Sequence, residues 1–153
     1  MSKDVKEDIL SGHKEIVLDT SVIINYLSTP NADSTKWLDK HVFTEASQVR
    51  LHSHKVNQTE LFYLICREKG TKKAKKVIKS IEEFINFHDK SELSEVAGTI
   101  KCKLSSALAD CFSIATGIWL KSPILFKKEK ELSESIIKSL KKDFDAKMII
   151  FKS

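Results

Sequence analysis

Short apolar runs recur along this chain, each followed by a stretch with helical spacing, and that alternation restricts the fold more than any other feature. Residues 15–19, 48–52, 86–89, 123–126 and 147–151 read as strands. Segments 20–28, 34–44, 56–69, 71–84, 92–104, 105–120 and 127–142 read as helices. A continuous apolar run such as Ile16-Val17-Leu18 suits a strand buried on both faces. Strands alternating with helices predict an α/β architecture, a parallel sheet covered on both sides. Thr29-Pro30-Asn31 breaks the first helix, and Gly70 ends the helix over 56–69 as a C′ residue does. Residues 1–13 read as a short N-terminal helix or arm.

At 153 residues and 41% hydrophobic, residues 1–153 form a single domain able to bury a core without covalent staples. No apolar stretch is long enough for a bilayer, and residues 1–11 lack a signal-peptide core, so a cytoplasmic protein is expected. Cys66, Cys102 and Cys111 are odd in number, show no CxxC spacing and sit among apolar residues, which reads as reduced, buried thiols. The net charge of +5 favours a polyanion only weakly. Lysines cluster at 69–76, 127–130 and 138–142, and each cluster by itself reads as a solvated helix face.

Three carboxylates break the apolar pattern. Asp19 closes the first strand and is followed by two hydroxyls, Thr20 and Ser21, which can cap the next helix. Ligands of parallel sheets gather outside such strand ends. Glu60 lies four residues from both Val56 and Leu64, on the stripe that holds Ile65. Asp110 falls within the stripe of Ala107, Cys111, Ile114, Ala115 and Ile118. A buried, unpaired carboxylate costs several kcal/mol. Each acid could be satisfied privately, Asp19 by capping and the others by lysines. The alternative is that they converge on a divalent cation; an all-oxygen set suits Mg²⁺ or Mn²⁺.

At these residues the chain resembles the PIN-domain nucleases, particularly small archaeal and bacterial PIN proteins related to VapC toxins. "IVLDTSVIINYL" is similar to the family's first strand with its acid, "VNQTELFYLI" to the helix bearing its glutamate, and "LSSALADCFSIATG" to its third acidic motif. The likeness spans residues 13–152. It implies a PIN-like three-layer α/β/α sandwich with a short, mostly parallel central sheet. It also implies that Asp19, Glu60 and Asp110 are catalytic metal-binding acids, with Thr20 or Ser21 helping to hold the metal or its water. The fourth acid departs from the family pattern. In "PILFKKEKEL", Glu129 takes its place if one extra residue is allowed, and Leu132 then takes the place of a phenylalanine; without that allowance Lys128 takes it.

The implied activity is a metal-dependent endoribonuclease, a hydrolase using Mg²⁺ or Mn²⁺ on RNA and acting as the toxin of a toxin–antitoxin pair. The metal would activate water and polarise the phosphate. DNA is not excluded as a substrate. The implied partners are RNA, an antitoxin protein and a second copy in a homodimer, with residues 22–27 and 35–43 as contact surfaces and no membrane. The alternative is a catalytically impaired PIN-like module that binds RNA or a protein partner, with Lys128 rather than Glu129 facing the acids. Three further features point to no chemistry. His52 and His54 make at most half a zinc site, and read as surface or partly buried residues. Trp37, Phe43, Phe62 and Tyr63 read as packing, and "VAGTIK" is too poor in glycine for a phosphate loop.

Overall fold

The apolar runs assemble side by side in a computed structural model that describes residues 13–44, 48–130 and 132–151. The order is β1 (Glu15–Leu18), α1 (Thr20–Ser28), α2 (Asp33–His41), β2 (Arg50–His54), α3 (Lys55–Lys69), α4 (Thr71–Ile81), β3 (Ile85–His88), α5 (Glu92–Lys103), α6 (Leu108–Leu120), β4 (Ile124–Lys127), α7 (Glu134–Phe144) and β5 (Met148–Phe151). Apart from His13, the expected N-terminal helix or arm lies outside the described residues.

The five strands form one sheet in the order β3-β2-β1-β4-β5, and every pairing is parallel. β1 is central, with Val17 opposite His52 on one side and Ile124 on the other. Its apolar residues divide by the strand's period of two. Ile16 and Leu18 join a core cluster with Val22, Leu38, Leu61 and Ile78, from α1 to α4. Val17 joins Ile100, Ile114, Ile124 and Leu140 on the other face, under α5 to α7. This is the three-layer α/β/α sandwich.

Connections run outward from β1 to β2 and β3, then return to β4 and β5. The sheet therefore switches direction between β1 and β4, and a crevice opens beyond their C-terminal ends. Asp19 sits at that point, where its amide donates to the Leu125 carbonyl at 3.1 Å.

Two helix starts differ from expectation. The segment after β4 does not enter its helix at residue 127. Lys127 pairs with Phe151 in the sheet, and a turn follows, in which the Leu132 amide donates to the Glu129 carbonyl at 3.2 Å. α7 begins only at Glu134, where the Ser133 side chain accepts from the Ile136 amide. Likewise α6 begins at Leu108 and not at residue 105, and its N-cap is Ala107 with no side-chain bond. The Ser106 carbonyl is tied back to α5 by Lys101 Nζ at 2.6 Å. The three cysteines are free, but only Cys111 is buried, and Cys102 is exposed. α5 turns Leu93, Ala97 and Ile100 inward, which places Cys102, two residues on, outside.

Candidate functional site

α1, α3 and α6 meet over the C-terminal end of β1. They enclose a cleft of about 590 Å³ lined by Asp19, Thr20, Ser21, Glu60, Asp110 and Glu129, with Tyr63 and Leu64 on the α3 wall. The carboxylates singled out in the sequence thus share one cleft. Lys128 is exposed and does not line it.

Asp19 is 1% exposed. Its Oδ2 accepts from the Ser21 amide at 3.0 Å, capping α1. Its Oδ1 accepts from Ser113 Oγ at 2.6 Å. Burial pushes its carboxyl above the ordinary value, and the bonds from Ser113 and Ser21 pull it part of the way back. Glu60 is half-buried. Burial raises its carboxyl as well; the Thr20 hydroxyl opposes that and the negative charge of Asp19 adds to it. Asp110 is buried in the first turn of α6. Ser21 Oγ accepts from the Lys127 amide at 3.2 Å and so joins α1 to the end of β4.

Asn57 and Ser113 also organise the site. Asn57 is fully buried. Its Nδ2 lies 2.9 Å from Thr20 Oγ1, 2.8 Å from Ser113 Oγ and 3.2 Å from the Ala109 carbonyl. Both hydroxyls accept from Asn57; Ser113 donates onward to Asp19, and the Thr20 hydroxyl lowers the pKa of the Glu60 carboxyl. One amide thereby orients a hydroxyl at each of two acids. The buried row of α3 is Asn57, Leu61 and Ile65, while Val56, Glu60 and Leu64 form its half-buried flank. The expectation that Glu60 lies on the core stripe is off by one residue of helix phase. The i, i+4 spacing of Asn57 with Leu61 and Ile65 was the available signal.

The expected metal centre is corrected. Among the described residues, no three side chains of His, Cys, Asp or Glu come together so as to hold a metal ion. The acids share walls of a cleft without converging on one point. Both Asp19 oxygens are already engaged by a backbone amide and a hydroxyl, and the Thr20 hydroxyl engages Glu60. Short of three convergent ligands among the described residues, the set does not fit Mg²⁺ or Mn²⁺. The expectation of a metal-dependent endoribonuclease is overturned with it.

The histidines also differ from expectation. His52 and His54 are 6% and 3% exposed. β2 extends through His54 and passes directly into α3, so both rings are enclosed. Among the described residues no helix is long and apolar enough to cross a membrane.

A family profile described as "PIN domain" matches residues 16–135. No curated protein matches the chain in sequence. Among solved structures, the chain is similar to VapBC2 from Rickettsia felis bound to a DNA fragment from their promoter, with TM-score 0.65, 11% identity, and coverage of 90% of this chain and 98% of that one. FitAcB from Neisseria gonorrhoeae gives TM-score 0.56 and 20% identity over 88% of this chain and 96% of that one. A toxin-antitoxin complex from Klebsiella pneumoniae gives TM-score 0.56 and 12% identity over 78% and 91%. At these identities the likeness is one of fold.

Proposed function

The chain belongs to the PIN-domain family, and from that premise we propose that it is a catalytically impaired member whose acid-lined cleft docks a cationic side chain of a protein partner. The carrying observation is the Asp19–Glu60 pair. Two carboxylates near enough for one charge to raise the other's pKa are held on hydroxyl and amide donors, and among the described residues no cation is one of the groups that shift either. A cation from outside relieves that repulsion. A guanidinium suits the cleft best, because its planar fork can meet two carboxylates at once. A nucleic-acid phosphate would add to the negative charge. The Klebsiella pneumoniae fold relative is described as a toxin-antitoxin complex, which supports a partner of the antitoxin kind.

A second reading, RNA binding, has one observation in its favour. α4 buries Ala74, Ile78 and Ile81 and turns Lys72, Lys73, Lys75, Lys76 and Lys79 to the opposite side, where no ion pair engages them among the described residues.

NMR titration separates the two. The peptide acetyl-Gly-Arg-Gly-amide should shift the backbone amides of Thr20, Ser21 and Glu60, and should fail to do so in Asp19→Asn/Glu60→Gln. A single-stranded RNA that moves those amides while the peptide does not would overturn the docking reading. RNA shifts confined to α4 would leave it intact.

A further inference from the structure

Behind the cleft, three histidines are gathered where β2 runs into α3. His52 Nδ1 lies 2.8 Å from His88 Nε2, and His52 Nε2 lies 3.3 Å from Glu15 Oε1. With Glu15 ionised and both rings neutral, one placement of protons satisfies the two contacts. His52 Nε2–H donates to Glu15, and His88 Nε2–H donates to the bare His52 Nδ1. One added proton is accommodated, because His88 can shift its hydrogen to Nδ1 and accept from a charged His52. A second leaves two N–H groups facing each other between β2 and β3.

His54 has a different task. Its Nδ1 accepts from the Val56 amide at 3.0 Å and is the N-cap of α3. Its hydrogen therefore resides on Nε2, a buried atom that meets no partner among the described residues, while the ring packs 4.5 Å from that of Phe112. A proton on Nδ1 turns the cap's acceptor into a donor pointed at another donor. Asn57 and Glu60 lie in the first two turns of the helix so capped.

The charged surroundings come from each neighbouring element. β1 contributes Glu15, which favours the charged form of His52, and β2 contributes Arg50, which opposes it. Lys55, at the start of α3, lines the same hollow as His52. After β3, Asp89 favours charge on His54, and Lys90 opposes it on His88. α6 supplies rings, Phe112 against His54 and Trp119 edge-on to His88 at 5.4 Å. Burial is the largest influence on all three histidines and holds each below its ordinary value of 6.5.

We propose that this histidine cluster is a proton-operated latch on the acid cleft: proton uptake by His54 removes the cap of α3, a second proton on the His52–His88 pair parts β2 from β3, and Asn57 and Glu60 leave their places. It is a regulation of the docking site inferred above, and rests on that reading for its output alone.

Residue-resolved amide exchange tests it without any partner. Rates corrected for intrinsic pH dependence are compared between residues 56–61 of α3 and residues 114–118 of α6. From pH 7.5 to 5.5, protection in α3 should fall at least tenfold relative to α6. His54→Asn, whose amide oxygen caps a helix without taking a proton, should hold the Val56 amide protected throughout. A constant ratio in the wild type, or an equal loss in His54→Asn, overturns the latch. Should that variant not fold, ring resonances decide: His54 must titrate over the range in which protection falls, and a ring that stays neutral there overturns it. If the latch opens while the arginine peptide never binds, the docking reading fails and the latch stands.

Discussion

Asn57 governs the cleft more than any one carboxylate does. Its amide hydrogens face three acceptors, and the hydroxyls it orients hold Asp19 and Glu60 in place. Asn57→Ala leaves those buried groups to find other partners, and should cost about 1–3 kcal/mol in urea unfolding. Asp19 carries the opposite expectation. Burial raises its carboxyl above 3.8 in the folded chain, so the native state takes up a proton more readily than the unfolded one, and the ionised form costs stability at neutral pH. Asp19→Asn keeps the cap on α1 and sheds that cost. It should stabilise by on the order of 1–2 kcal/mol at pH 7.5, a gain that shrinks as pH falls through the raised value towards 3.8. Thermal melts of both proteins at two pH values check size and sign together. Asp19 was legible in the sequence because it interrupts an apolar run. Asn57 and Ser113 were not, because small polar residues on a helix usually face water. What sets them apart is burial by partners 37 and 94 residues away in the chain.

Helices were legible where an apolar stripe and a stop residue agreed, as in α3, which ends at Gly70 with φ of +88°. They were misread where capping decided the start. Ser133 delays α7 to Glu134, because a serine hydroxyl competes for the first-turn amides wherever it stands. Ser133→Ala should cost about 1 kcal/mol, read by urea unfolding. The packing of α6 on β4 is tighter still. A Cβ added to Gly117 would stand 2.1 Å from Ile124 Cγ1, 2.4 Å from Ile124 Cδ1 and 3.2 Å from the Ser122 carbonyl. Ile124 is fully buried and lacks room to retreat, so Gly117→Ala should destabilise by about 1–3 kcal/mol despite alanine's better helix propensity.

Over the whole molecule, the strand–helix alternation was enough to predict a parallel sheet covered on both faces, since the apolar runs have no wet side. The proximity of the acids followed from their shared break of the apolar pattern; the strand order did not follow from alternation. The geometry within the cleft did not, because whether carboxylates converge on one point depends on a few ångströms set by Asn57, Thr20 and Ser113. Above the range in which Asp19 and Glu60 take up protons, acid should weaken the fold. Three histidines held below 6.5 in the native state bind protons more readily when unfolded. Their contribution is intact above 6.5 and fades as pH drops towards their lowered values. Stability from urea unfolding should fall by on the order of 1 kcal/mol between pH 7.5 and 5.5, with much of the loss absent in His54→Asn.

β1 occupies the middle of the sheet yet comes first in the chain, and one of its two edges waits for β4, more than 100 residues later. During synthesis the ribosome therefore delivers β1, β2 and β3 with a bare hydrophobic edge, open to any other extended segment until Ile124 emerges. Pairing with β4 then covers that edge, leaving β1 flanked on both sides, and the finished sheet carries no sign of the interval.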